Sequence, residues 1–268
     1  MHEVLQPKPC FHGGAVYQII GDDFSDLPRQ RDVIDADVLD AWFEPSPKAV
    51  QALRDNLVWS LRSSPPVRPT GVERAISKSI DVSAANILCG AGSSNLIFLA
   101  LRELLTIKSK VLILDPTYGE YSFLISQVIG CQLDSFQLCA EDNYKVNLDS
   151  LLAKINSQTY DLVILVNPNN PSGQFIGKAN FIDALNLIPK STLVWIDEAY
   201  IDYVDKSQSL SDYAAKSNNI IVCKSLSKVL ALSGLRVAYI VANKAIVERL
   251  RPLTPPWSLS LPAQIILL

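Results

Sequence analysis

Histidine is nearly missing from this chain: its 268 residues hold only His2 and His12. Imidazole-built zinc sites and Ser/His/Asp triads therefore have almost no raw material, and no metal site is expected. The five cysteines (Cys10, Cys89, Cys131, Cys139, Cys223) are far apart, odd in number and form no Cys-x-x-Cys pair. Such spacing suits reduced, mostly buried thiols and a cytoplasmic chain. No apolar run approaches the length of about eighteen residues that a membrane span needs. The opening stretch MHEVLQPKPC lacks a secretory apolar region. There is no basic stripe either: the net charge is -3 with both signs scattered, which argues against a nucleic-acid partner.

What is present is a globular composition, 49% hydrophobic and 19% charged, enough for a sizeable core. The mean hydropathy of +0.19 is high for a soluble chain. It suggests a sheet buried on both faces, or the loss of a piece that would cover apolar surface. Residues 1–45 read as an irregular, polar N-terminal arm, loop-like at His12-Gly13-Gly14. A helix is expected from Ser46-Pro47, with Val50, Leu53, Leu57 and Leu61 on one face, broken by Ser63-Ser64-Pro65-Pro66.

Beyond that point short apolar runs alternate with helical patterns. The runs are 87–89, 111–114, 133–138, 162–166, 193–196, 220–223 and 237–241. They are continuous and β-branched, without polar alternation, as in strands covered on both faces. The fold class expected is α/β: three layers, with helices on both sides of a mostly parallel seven-stranded sheet. The main domain would span residues 46–250, and 251–268 would begin a linker helix. In such sheets ligands sit at the carboxyl ends of strands, so the residues following each run matter most.

After the first run comes Gly90-Ala91-Gly92-Ser93-Ser94-Asn95, a phosphate cradle at a helix start or a plain helix cap. It is not the dinucleotide fingerprint, because Asn95 holds the third glycine position. After the second comes Asp115-Pro116-Thr117-Tyr118-Gly119, whose tyrosine could stack on a flat ring or merely pack. Asn167-Pro168-Asn169-Asn170-Pro171-Ser172-Gly173 forms a rigid turn with several amide side chains. Asp197-Glu198-Ala199-Tyr200 puts a carboxylate at a buried strand end, where it needs a cation, either an arginine or a ring nitrogen. Lys224-Ser225-Leu226-Ser227-Lys228, with Arg236 further on, offers a nucleophilic lysine among hydroxyls. Singly, each feature has a bland reading. Jointly they supply what a phosphorylated aromatic aldehyde needs: an anion cradle, a stacking ring, a carboxylate, a phenol, a lysine and an arginine.

The segments GAGSSNLI (90–97), DPTYGEY (115–121), NPNNPSG (167–173), DEAY (197–200) and SLSKVLALSGLR (225–236) resemble those of the fold-type I pyridoxal-phosphate (PLP) enzymes of aminotransferase class I and II. Within that family they are most similar to histidinol-phosphate aminotransferases and threonine-phosphate decarboxylases, and the likeness runs from about Pro45 to the end. The resemblance implies Lys228 as the Schiff-base lysine and proton shuttle, with Asp197 paired to the pyridine nitrogen. It implies Tyr200 and Asn170 on the ring oxygen and Tyr118 on the ring face. Backbone at Gly92, Ser93 and Ser94, with Ser225, Ser227 and Arg236, would hold the phosphate. It further implies amino-acid and keto-acid substrates and, for the full-length protein, a homodimer.

Three departures stand out. The stretch 39–47 replaces the family's Asn-x-Asn-Pro-like segment near the substrate, which allows a different substrate. No tyrosine near Arg62-Ser63-Ser64 matches the one that reaches the partner subunit's cofactor phosphate in relatives. Relatives continue past the point matching Leu268 with a small domain carrying a carboxylate-binding arginine, so that domain is expected to be missing. Transamination is the leading expectation. Amino-acid decarboxylation is the alternative, which His12-Gly13-Gly14 resembles, although a plain loop is the preferred reading of that segment. A PLP-binding remnant without turnover is the third.

Overall fold

A computed structural model describes Cys10 and residues 12–268. His2, and most of the opening stretch read as non-secretory, lie outside the described residues. The seven expected runs all form strands: β1 (Ile87–Gly90), β2 (Lys110–Asp115), β3 (Gln132–Gln137), β4 (Leu162–Val166), β5 (Leu193–Asp197), β6 (Ile220–Ser225) and β7 (Ala238–Val241). They make one sheet in the order β1-β7-β6-β5-β4-β2-β3. Strands β6, β5, β4, β2 and β3 are mutually parallel, and β7 is antiparallel to both neighbours, β6 and β1. Strand β1 therefore runs with β6, and only β7 is reversed.

Register explains why the strands read as unbroken apolar runs. Ile113, Ile164, Trp195 and Ile221 align across the sheet on one face, and Leu112, Val163, Val194 and Ile220 on the other. Both rows are buried. Period-two alternation thus divides apolar residues between two cores rather than between core and water.

The helices in chain order are α1 (Ala15–Ile20), α2 (Pro47–Arg62), α3 (Thr70–Ile80), α4 (Ser93–Leu104), α5 (Gly119–Phe123), α6 (Leu148–Asn156), α7 (Lys178–Asn186), α8 (Ile201–Val204), α9 (Ser211–Lys216), α10 (Lys244–Leu250) and α11 (Leu261–Leu267). Leu96, Leu101 and Val247, from α4 and α10, join the first core together with Tyr121 of α5. Leu151, Phe181 and Ala214, from α6, α7 and α9, join the second. A third cluster packs Val72 and Ile76 of α3 and Ala263 of α11 onto β1 and β7. The result is the expected three-layer α/β architecture.

Two local expectations are refined. The N-terminal arm contains α1 and a 3-10 turn at Leu27–Arg31 rather than only irregular chain. The apolar face of α2 is only partly covered: Val50 and Leu53 are half-buried, while Leu57 and Leu61 are exposed. Cys89, Cys131 and Cys223 are buried thiols, as their spacing implied. No helix among the described residues is long and apolar enough to cross a membrane.

Candidate active site

Because six strands run one way, their carboxyl ends share one edge, and the chain after each turns there. Register brings the segments together. Ala238 of β7 pairs with both Gly90 of β1 and Ser225 of β6, so the cradle segment and the Lys228 loop flank the chain that carries Arg236. Val166, Asp197 and Cys223 are similarly in line across β4, β5 and β6.

The cradle is built for close approach. Gly92 opens α4 with φ +90°, and a Cβ there would lie 2.7 Å from Arg236 Nη2. A side chain would therefore displace the guanidinium, so glycine is required both by conformation and by contact. The first N–H groups of α4 face this region with the arginine beside them, a donor set suited to a phosphate. Arg236 is itself left-handed, φ +53°, and its Nη1 donates to the Ser233 carbonyl at 3.2 Å.

A cavity of about 440 Å³ opens at this edge, within the usual range for small-ligand sites. Seven expected site residues line it: Ser93, Tyr118, Asn170, Asp197, Tyr200, Ser225 and Lys228. Gly92, Ser94, Ser227 and Arg236 are not among its lining residues. The Ser94 hydroxyl donates to Glu120 Oε2 at 2.7 Å, so only its backbone remains for an anion. Ser227 is buried, and its N–H donates to Ser225 Oγ at 3.3 Å. Lys228 Nζ donates to Asp40 Oδ1 at 3.1 Å, and Ser233 Oγ donates to the same oxygen at 2.6 Å.

The profile of the aminotransferase class I and II family matches residues 36–268. The chain belongs to this family. A histidinol-phosphate aminotransferase of Leuconostoc citreum is 30% identical over 223 residues, covering 81% of this chain and 61% of that protein. One from Moorella thermoacetica is 32% identical over 228 residues, covering 82% and 56%. The chain thus spans about three fifths of the length of these curated relatives. The crystal structure of a Sinorhizobium meliloti histidinol-phosphate aminotransferase in complex with pyridoxal-5'-phosphate superposes with TM-score 0.78. It is 21% identical, with 86% of this chain and 62% of that one covered, and shows a shared fold.

For a class I and II family member, the electrostatics of Asp197 are informative. Burial pushes its carboxyl up. Hydrogen bonds from Tyr121 Oη at 2.6 Å and the Ala199 N–H at 3.0 Å pull it down, and the Glu120 charge adds to the rise. A cation placed against it would relieve this desolvation, which is what a protonated ring nitrogen offers. Tyr200 is raised to about 12, first by burial and then by Asp197, so it stays a neutral phenol. At Asp40, burial works upward but is outweighed by hydrogen bonds from Ser233 and Lys228 and by the charges of Lys228 and Arg236, and the net direction is down.

Sequence reasoning missed several participants. Tyr121 bridges Asp197 to Trp195, whose Nε1 donates to the Tyr121 hydroxyl at 2.9 Å. Glu120 collects Tyr118 Oη at 2.9 Å as well as Ser94, and His12 Nε2 lies 3.3 Å from the same Oε2. Both residues stood inside the DPTYGEY segment. Their adjacency to Tyr118 on a strand-end turn was the available signal. His12 and Gly13, read as a plain loop, line the cavity with Asp37, Val38 and Leu39. Asp40 lay in the stretch that departs from the family pattern, and its ion pair places that departure beside Lys228.

Proposed function

We propose that the full-length protein transfers an amino group from an amine donor to a keto acid, using PLP bound in this cavity through Lys228. The observation that carries the reading is convergence: Tyr118, Asn170, Asp197, Tyr200 and Lys228, from four separate strand ends and their turns, line one cavity. PLP, when bound, supplies an electron sink for a developing negative charge on the donor's α-carbon. Lys228 Nζ is the group that holds the cofactor aldehyde and moves a proton at that carbon. Asp197 keeps the proton on the ring nitrogen, oriented by Tyr121 and the Ala199 N–H. Tyr200 and Asn170 donate toward the ring oxygen, and Tyr118 covers the ring face. The α4 N-terminus at Gly92, Ser93 and Ser94, with Ser225, Ser227 and Arg236, takes the phosphate.

The similarity to histidinol-phosphate aminotransferases makes an amine of that type the first donor to test. Residues 46–250 form the cofactor-binding unit in this reading, the arm within residues 1–45 lines the cavity through His12, Gly13, Asp37, Val38 and Leu39, and residues 251–268 begin a linker helix that packs against α3, β1 and β7. The working form is a soluble homodimer with small-molecule partners, and neither nucleic acid nor membrane is involved.

The test is an absorbance titration of the full-length protein with PLP. A band near the visible edge that responds to an amine donor, with pyridoxamine phosphate as product, is expected. Carbon dioxide as product would replace transamination by decarboxylation. A band that no donor perturbs would reduce the protein to a cofactor-binding remnant. Borohydride should trap a lysine adduct in the wild type and not in Lys228→Ala, and trapping at another lysine would overturn the assignment.

A further inference from the structure

Glu120 carries a buried oxygen that the cofactor reading leaves without a partner. Its side chain is 4% exposed and it lines the cavity beside His12 and Tyr118. One oxygen, Oε2, accepts from Ser94 and Tyr118 and lies against His12. The other, Oε1, is buried and has no partner, the only carboxylate oxygen in that condition among the described residues. An unmatched buried acceptor is costly, so its persistence in a cavity wall points to a ligand donor. The other acids near the cavity have partners: Asp197 has Tyr121 and the Ala199 N–H, Asp37 accepts from the Gly14 and Ala15 N–H groups, and Asp40 holds Lys228.

We infer that Glu120 is a specificity-determining residue, whose Oε1 receives an N–H donor on the side chain of the amine substrate. This rests on the PLP reading above. In that reading every polar group of the cofactor already has a partner: the phosphate at α4 and Arg236, the ring nitrogen at Asp197, the ring oxygen at Tyr200 and Asn170, and the aldehyde at Lys228. What remains for Oε1 is the substrate. A carboxylate there accepts only, so it favours imidazole, guanidinium, ammonium or amide side chains. It disfavours a substrate that presents a second carboxylate to the same wall.

The test uses the full-length PLP-loaded protein. Absorbance-detected binding and turnover are compared for L-histidinol phosphate, L-histidine, L-arginine and L-glutamine against L-glutamate and L-aspartate. The wild type is expected to favour at least one N–H-bearing side chain over both acidic ones. Glu120→Gln, which keeps the shape but places an amide N–H in the wall, should shrink that preference by roughly tenfold to a hundredfold. PLP affinity and the cofactor band of the variant report the cofactor site independently. A wild type that favours the acidic amino acids overturns the inference whatever the variant does. So does a Glu120→Gln protein that loses PLP affinity with its substrate ratio unchanged, because Oε1 would then serve the cofactor. Absence of any PLP band in the wild type instead sinks the underlying reading, and the inference with it.

Discussion

Replacing Tyr121 by phenylalanine tests whether the Asp197 carboxylate is held the way the structure shows. The Tyr121 hydroxyl donates to Asp197 Oδ2 at 2.6 Å and accepts from Trp195 Nε1 at 2.9 Å. Tyr121 and Trp195 are 0% exposed and Asp197 is 4% exposed, so water cannot replace the lost oxygen without rearrangement. Burial keeps the Tyr121 phenol well above its ordinary range, and it therefore remains a donor at every working pH. Losing the bond to the carboxylate costs about 1.5–3 kcal/mol, and stranding the indole N–H costs about 1–3 kcal/mol. Partial overlap of the two leaves an expected loss of roughly 3 kcal/mol, or a fall of about 6–12 °C in Tm for a domain of this size class.

The pH dependence fixes the cause. Asp197 is raised in the folded state, chiefly by burial, so folding favours its protonated form. That contribution is fully present below the ordinary carboxyl range and is lost as pH rises through the raised folded value. Tyr121 opposes the rise by serving the charged form, so Tyr121→Phe moves Asp197 higher still. The destabilisation should be larger at neutral pH than at about pH 4, near the ordinary carboxyl value. With Asp197 facing the ring nitrogen as proposed, PLP affinity should fall roughly tenfold, because a carboxyl that protonates more readily holds that nitrogen's proton less firmly. Urea unfolding at both pH values, with and without PLP, is the assay. A loss under about 1 kcal/mol, or one independent of pH, would refute the reasoning.

Gly92→Ala should weaken PLP binding at least tenfold with little effect on the rest of the fold, since its Cβ would meet Arg236 Nη2 at 2.7 Å and φ is +90°. Fluorescence titration with PLP checks this, and unchanged affinity would remove Arg236 from the phosphate site. Arg251→Met should destabilise the protein by about 3 kcal/mol, the usual cost of breaking a buried ion pair. Arg251 Nη1 lies 2.6 Å from Glu73 Oε1, Nη2 donates to the Ile87 carbonyl, and Glu73 is 5% exposed in its side chain. Denaturant unfolding without PLP measures this loss, and a change under about 1 kcal/mol would mean that water or Arg68 replaces the pair. Lys224→Met should likewise cost stability and loosen the strand end before Lys228, because Lys224 Nζ is 3.2 Å from Asp202 and 4.0 Å from Glu198, both partners in a largely buried cluster. An unchanged PLP dissociation rate in that variant would show that the cluster does not reach the site.

The strands were legible because a sheet covered on both faces leaves continuous apolar runs, and Ile113, Ile164, Trp195 and Ile221 could be recognised as core without knowing their order. Order and direction were not legible. Nothing local in Ala238–Val241 marks it as the reversed strand. Asp197 ends β5 and Lys228 follows the end of β6 by three residues, and both stood out because their segments are distinctive. Asp40 was not, because its partner lies 188 residues away and its own segment reads as polar loop. Tyr121 and Glu120 were visible as letters but not as roles: hydrogen bonds to Asp197 and Ser94 depend on how α5 turns after β2, which period and composition do not specify. For α2 the periodicity foretold a helix but not what would cover it, and Leu57 and Leu61 remain exposed.

The reversal of β7 also ties topology to chemistry. Were β7 parallel to its neighbours, the residues preceding it would emerge at the opposite edge of the sheet, far from Lys228. Because it runs backward, the chain before Ala238 emerges at the carboxyl ends of β1 and β6, and Ala238 pairs with Gly90 on one side and Ser225 on the other. Arg236 is thereby delivered between the cradle glycine and the lysine loop, where Gly92 has no side chain to exclude it. A register slip of one residue would turn each side chain of β7 to the other face and shift Arg236 along the edge. On the reading proposed above, the phosphate end of the site is specified by strand pairing as much as by the residues assigned to it, and damage to the β7 register should remove cofactor binding even with every one of those residues intact.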